Sequence, residues 1–225
     1  MDLTAGSDVR CFFMKRFISP HFKDIIFAWR NFGKLCSQAS LEWQNAGFLL
    51  QHGIRTYRPA CFGEKIVMGM ERASFFLTEE IKGLCLPHLV SKRWHSFGKC
   101  EREQLMTSLG RFVKKIHDVG ISMPDLYLWH IYAIDPADAP PGTDYELAVI
   151  DLHRMRRNAS SPVERARNLA AFSYSLSEKY FDARCRELFL DAYMEGIAPP
   201  LREKIARTLE QRTRVIIKRR GQPRY

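Results

Sequence analysis

Apolar residues recur at helical spacing in one long stretch of this chain and alternate with polar ones in several short stretches. Between residues 101 and 118, Leu105, Leu109, Phe112, Val113 and Ile116 fall on one face of a helix, and Gly120 ends it. Residues 9–17 alternate around Cys11-Phe12-Phe13-Met14-Lys15 and predict a strand. Residues 39–51 predict a helix, closed by His52-Gly53, because glycine just past the last turn takes the left-handed cap conformation. A hairpin of 58–62 and 66–70 is expected around Gly63-Glu64-Lys65, followed by a strand over 74–81. After Gly83 the pattern turns helical, with further helices expected over 163–179, 182–195 and 200–218, the last opened by Pro199-Pro200. Residues 131–134 and 146–150 interrupt this half as two short apolar, β-prone runs, joined by the turn-rich segment 135–144. The division is therefore a strand-rich part, residues 1–83, and a helical part, residues 84–225, that carries one hairpin.

Composition narrows this picture little. The 225 residues are 46% hydrophobic and 27% charged, as in ordinary globular proteins, and no apolar run approaches the ~20 residues of a spanning helix. Charge adds more: 35 Lys and Arg against 25 Asp and Glu give +10. That excess favours anionic partners, whether nucleic acid, nucleotide phosphates or lipid headgroups. Its clusters lie at 91–95, at 154–157 and at 218–224, and each also reads as a solvated basic surface. No RNP, zinc-finger or helix-turn-helix signature accompanies them, so nucleic acid is not an expected partner. The six cysteines show no paired spacing and read as reduced structural thiols.

The chemistry concentrates around the hairpin. Asp125 precedes its first strand, in Met123-Pro124-Asp125-Leu126-Tyr127-Leu128-Trp129-His130, and Asp151 follows its second, in Val149-Ile150-Asp151-Leu152-His153-Arg154. Because a hairpin reverses the chain, Asp125, His130 and Asp151 are expected at one end of it. Two carboxylates and an imidazole suit a metal-dependent phosphoryl transferase: one carboxylate orients a hydroxyl and another holds Mg²⁺. His117, ending the long helix, reads as structural, and Trp43, Trp94 and Trp129 read as packing residues.

These segments, in this order, resemble the lipopolysaccharide core kinase (Kdo/WaaP) family of Gram-negative bacteria, within the protein-kinase-like superfamily. Phe12-Phe13-Met14-Lys15-Arg16 resembles the strand whose lysine reaches the nucleotide phosphates. Ser40-Leu41-Glu42-Trp43 resembles the helix whose glutamate pairs with that lysine. His52-Gly53-Ile54-Arg55-Thr56-Tyr57-Arg58-Pro59 and Ser74-Phe75-Phe76-Leu77-Thr78-Glu79-Glu80 are similar to the following segment and to the strand entering the hinge. Ile116-His117-Asp118-Val119-Gly120-Ile121, then Asp125 through His130, resembles the catalytic loop, with His130 at the position of the metal-binding Asn five residues after the Asp. Asp151-Leu152-His153-Arg154 stands where kinases carry Asp-Phe-Gly, and Arg167-Asn168-Leu169-Ala170 resembles the family's Lys-Asp-Leu-Ala.

The resemblance implies an α+β, protein-kinase-like fold with a small β-rich N-lobe and a helical C-lobe bearing the catalytic hairpin. It implies ATP and Mg²⁺ as cofactors, with Asp125 as the catalytic residue, Lys15 and Glu42 at the nucleotide, and Asp151 and His130 at the metal. The implied acceptor is a heptose or Kdo of the lipopolysaccharide inner core or another glycolipid, met by a cytoplasmic protein at the anionic face of the inner membrane. Two departures stand out. Met123-Pro124 replaces the usual His-Arg, which removes that scaffold of hydrogen bonds. Only 14 residues precede Lys15, too few for the two strands and Gly-rich turn that cover ATP in kinases. Either the native start lies upstream, or the chain is a pseudokinase acting as a binding scaffold.

Overall fold

The structure is a computed structural model that describes residues 2–5, 8–19, 26, 29, 36–134, 144–223 and 225. The chain divides into two compact units, Met1–Ile81 with Ile150–Met155, and Lys82–Val149 with Arg156–Tyr225.

The first unit is built on a four-stranded antiparallel sheet in the order β1-β2-β4-β3: β1 (Asp2–Ala5), β2 (Asp8–Ile18), β3 (Pro59–Val67) and β4 (Met70–Glu79). One strand thus precedes and pairs with the strand that carries Lys15, with Asp2 opposite Cys11. The expected turn around Gly63-Glu64-Lys65 lies instead at Met68-Gly69, where both residues have positive φ (51° and 75°), as two-residue hairpin turns favour. Gly63 serves another purpose. It sits opposite Phe75 within the ladder, and a Cβ there would lie 2.3 Å from the Phe75 ring. A glycine read as a turn signal is a close-packing position.

Helix α1 (Gln38–Gln51) packs on this sheet with Ala39, Leu41, Ala46 and Leu49 fully buried. Its start is held by side chains. Ser37 accepts from the Ser40 N–H at 3.0 Å as N-cap, Glu71 on β4 accepts from the Gln38 N–H at 3.0 Å, and Ser74 accepts from the Ala39 N–H at 3.3 Å. Those bonds set the helix against the sheet. Deeper along α1, the Asn45 amide donates to the Leu152 carbonyl at 2.8 Å, which ties segment 150–155 to this unit.

The second unit contains a three-stranded sheet, β5 (Gly83–Cys85), β6 (Ile131–Ile134) and β7 (Leu147–Val149), in that order. The hairpin expected from the sequence is β6–β7, with Ile131 opposite Val149; its connection over 135–143 lies outside the described residues. Around it lie α2 (Leu86–Arg93), α3 (Lys99–Asp118), α4 (Pro162–Ser175), α5 (Ala183–Met194) and α6 (Pro199–Arg220). The apolar face read for α3 is the buried one: Leu105, Leu109, Val113 and Ile116 have no exposed surface. It packs on α5, and α4 packs on α6. Short α2 and β5 were not expected. The basic cluster at 91–95 spans the end of α2, and within it Trp94 is buried against Phe181, with ring centroids 4.9 Å apart.

Candidate active site

Within the first unit, five side chains from four parts of the sequence meet. The Lys15 ammonium, from β2, lies 2.5 Å from Glu42 Oε1 on α1 and 2.5 Å from Asp151 Oδ1. Glu42 has almost no exposed surface, so its charge needs partners on both oxygens. Lys15 occupies Oε1, while Oε2 accepts from the Tyr57 hydroxyl and, at 3.3 Å, from the Leu152 N–H. Asp151 also receives His153 Nδ1 at 3.0 Å. Burial alone would raise the Asp151 carboxyl, but the His153 hydrogen bond and the Lys15 charge outweigh it and hold Asp151 well below the usual carboxylate range. Burial likewise disfavours the Lys15 ammonium, and Glu42 and Asp151 more than reverse this, so Lys15 is raised and stays charged.

Asp151 adopts φ +64°, in the left-handed region. Aspartate tolerates that region better than most residues, and such outliers concentrate at functional sites. Among the described residues, one group of His, Cys, Asp or Glu side chains has ligand atoms close enough for a cation: Glu42, Asp151 and His153, all within 4.8 Å. Two carboxylates facing one ammonium give a donor set that suits a hard, oxygen-preferring cation. Residues Lys15, Glu42 and Asp151 are thus brought together, and His153 and Tyr57 join them. Neither was singled out in the sequence, because each acts through a partner that only the fold supplies.

Asp125 and His130 belong to the second unit. The loop that carries them is held by neutral hydrogen bonds. His130 Nδ1 lies 2.8 Å from the Asp125 carbonyl; since a carbonyl only accepts, Nδ1 carries a proton in this bond. Met123 N–H donates to Asn168 Oδ1 at 2.7 Å, and Leu128 N–H donates to the Ser175 hydroxyl at 2.8 Å. Ser122 and Arg156 exchange backbone bonds of 2.9 Å each. The scaffold expected to be lost with Met123-Pro124 is therefore rebuilt from backbone donors and the side chains of α4.

His117 completes that scaffold. It is fully buried, with Nε2 donating to Asn168 Oδ1 at 3.1 Å and Nδ1 accepting from the Tyr193 hydroxyl at 2.8 Å. Burial, with the nearby Arg165 charge, lowers its pKa to about 4 against the pull of the Asn168 bond, so the ring is neutral at pH 7. Arg156, within the cluster that also reads as a solvated basic surface, is tied into the fold: it pairs with Glu164 and donates to Ser122 Oγ at 3.3 Å.

Comparisons with known proteins bear on the family and the fold. The model of the "Lipopolysaccharide kinase (Kdo/WaaP) family" matches residues 4–193. The lipopolysaccharide core heptose(I) kinase WaaP of Pseudomonas aeruginosa is 29% identical over 170 residues, covering 73% of this chain and 61% of the relative. The enzyme of the same name from Escherichia coli is 29% identical over 126 residues, covering 55% and 47%. The matched parts thus span 61% and 47% of the length of these relatives, less than two thirds of each. A solved structure described as WaaP in complex with acyl carrier protein superposes with TM-score 0.69 at 26% identity, over 96% of this chain and 83% of that one. The α+β, protein-kinase-like fold expected from the sequence is the fold of that structure, and the chain belongs to the lipopolysaccharide kinase (Kdo/WaaP) family.

Proposed function

We propose that this protein is a kinase that transfers the γ-phosphoryl group of ATP to a sugar hydroxyl, heptose or Kdo, of the lipopolysaccharide inner core. The observation that carries the reading is the Lys15 ammonium held at 2.5 Å from both Glu42 and Asp151, partners 27 and 136 residues away. Nothing in local structure demands that grouping, and a polyphosphate with its cation is the ligand it suits.

In this reading Lys15, positioned by Glu42, binds nucleotide phosphate oxygens. Asp151, ionised and set by its unusual backbone, holds Mg²⁺; when bound, that ion neutralises charge on the phosphate oxygens. His130 is the second proposed ligand, through a ring nitrogen, a softer donor than Mg²⁺ usually takes. Asp125 orients the acceptor hydroxyl and receives its proton, within a loop that Asn168 and Ser175 keep in place. Catalysis is mostly positioning, so rigid support for each group matters more than added chemistry. The net charge of +10 favours work at the anionic cytoplasmic face of the inner membrane. No described helix is long and apolar enough to cross a membrane.

The test is transfer of label from γ-³²P-ATP to purified lipopolysaccharide core. Label should enter the core with the parent chain and not with Asp125→Ala. Equal incorporation by both would remove Asp125 from the mechanism, and no incorporation by the well-folded parent would remove the kinase reading.

A further inference from the structure

A second feature of the helical unit has no role in the mechanism above. Where α6 ends, Gly221 takes φ +72° and turns the chain, and residues 221–223 form one wall of a cavity of about 520 Å³. Its other walls are Trp129, Tyr174 and Arg220. This size falls within the ~300–1,000 Å³ of small-ligand sites. Tyr225 fastens the wall: its hydroxyl donates to the Ser175 carbonyl at 2.7 Å and accepts from the Ser177 N–H at 3.0 Å, and its ring stacks on Tyr180.

We infer that this cavity is a subsite for a pyranose ring bearing an anionic group, with Trp129 stacking on the ring and Arg220 binding the anion. This rests on the reading that Asp125 orients an acceptor hydroxyl. The Trp129 indole is half-buried and stacked on Tyr127 at 4.5 Å and 13°, which fixes its plane. Such a rigid aromatic surface fits the C–H face of a sugar, which is apolar although the ring's edge is polar. The Arg220 guanidinium lies over the Tyr127 ring and spends one N–H on the Tyr127 hydroxyl at 3.0 Å. A guanidinium has five donors in a planar fork, the geometry that matches a carboxylate or phosphate. Gln222 adds an amide to the rim. An acyl chain would find a cation and an amide among its contacts, a poor match for hydrocarbon.

Position supports the assignment. Trp129 lies in the 3₁₀ turn Leu128–His130, and its ring meets that of His130 edge-on, with centroids 6.2 Å apart. His130 in turn bonds the Asp125 carbonyl. A sugar on Trp129 is therefore held by the same loop that presents Asp125. The sequence had marked both ingredients, Trp129 as packing and 218–224 as a basic tail, without bringing them together.

The test is tryptophan fluorescence of the full chain titrated with Kdo, a sugar acid, and with glucose as the neutral control. Kdo should quench with an affinity at least about tenfold above that for glucose. Trp129→Phe should abolish the quench, and Arg220→Gln should erase the preference for Kdo without weakening glucose. Arg220 is exposed, so that variant does not depend on tolerance of a core change. Quenching that persists in Trp129→Phe, an unchanged Kdo preference in Arg220→Gln, or quenching by a fatty acid but not by Kdo would each overturn the assignment. Transfer to lipopolysaccharide, measured on the same preparations, separates the two claims. Transfer by the parent with an unaltered acceptor KM in both variants rejects the subsite alone. Kdo binding through Trp129 and Arg220 without any transfer rejects the kinase reading and keeps the subsite.

Discussion

The two units hold their functional residues by opposite means. In the first, ionised side chains bind one another directly, with Lys15 between Glu42 and Asp151 and no intervening backbone. In the second, an Asn, a Ser and a neutral His hold the loop bearing Asp125 through bonds to backbone or to one another, and the Arg156–Glu164 ion pair reaches the loop only at Ser122 Oγ. A charged cluster can exchange one ionic partner for another, as a site that receives phosphates and a cation must. A neutral network has no such exchange available and fixes a shape instead. The difference matches the proposed division of labour between binding the phosphoryl donor and presenting the acceptor.

The largest effect that should separate the two is catalytic. Asp125→Ala should lower phosphoryl transfer by about a thousandfold, the span usual for a lost general base, while Mg·ATP still binds. Asp151→Asn should abolish transfer as well, but by losing Mg·ATP. If both variants bound Mg·ATP as the parent does, the assignment of donor binding to the first unit would fail.

Next in size is the cost of breaking the neutral network. Asn168→Leu strands the Met123 N–H and the His117 Nε2–H in a buried site, at about 3 kcal/mol in all. Calorimetry should show an unfolding midpoint lowered by about 5–10 °C. A change under a degree would mean that the loop is held elsewhere.

Acid should reach the two regions in different windows. The pKa of His117 falls from 6.5 to about 4 on folding, so the unfolded chain binds the extra proton first. Stability present above pH 6.5 is therefore lost as pH falls toward 4, by roughly 3 kcal/mol. Asp151 is also depressed, and its contribution is lost only below its ordinary 3.8. Chemical denaturation across pH 7 to 4 should slope downward in the parent and flatten in His117→Gln. A slope that the substitution leaves intact would assign it to other groups.

The smallest expected change is in Tyr57→Phe, which removes one donor from buried Glu42. A loss of about 1 kcal/mol in stability is expected, with a weaker hold on Mg·ATP, because the same carboxylate positions Lys15. Unaltered nucleotide affinity would show that Lys15 and Leu152 suffice to place Glu42.

Much of this was legible in the sequence where local pattern and burial coincide. The face of α3 was readable because Leu105, Leu109, Val113 and Ile116 recur at helical spacing and all are buried. Asp125, His130 and Asp151 were singled out because they flank a hairpin, and Lys15 and Glu42 because neighbouring residues resemble family segments; of these five, Lys15, Glu42 and Asp151 are in direct contact. What could not be read depends on pairing across the chain. Gly63 looks like a turn until Phe75 is placed opposite it, and the true turn at Met68-Gly69 carries a weaker signal. Short α2, eight residues with a proline at its start, has too little periodicity to register. Arg156 looked solvated because Glu164 and Ser122 reach it only in the fold, and His153 and Tyr57 gain meaning only beside Asp151 and Glu42.

The central claim is that Lys15, Glu42 and Asp151 form the Mg·ATP end of a kinase. Isothermal titration of Mg·ATP into the parent chain and into Asp151→Asn tests it most directly. The account predicts saturable, Mg²⁺-dependent binding by the parent and its loss in the variant. Binding of equal affinity in the two, or no binding by a folded parent chain, would contradict it.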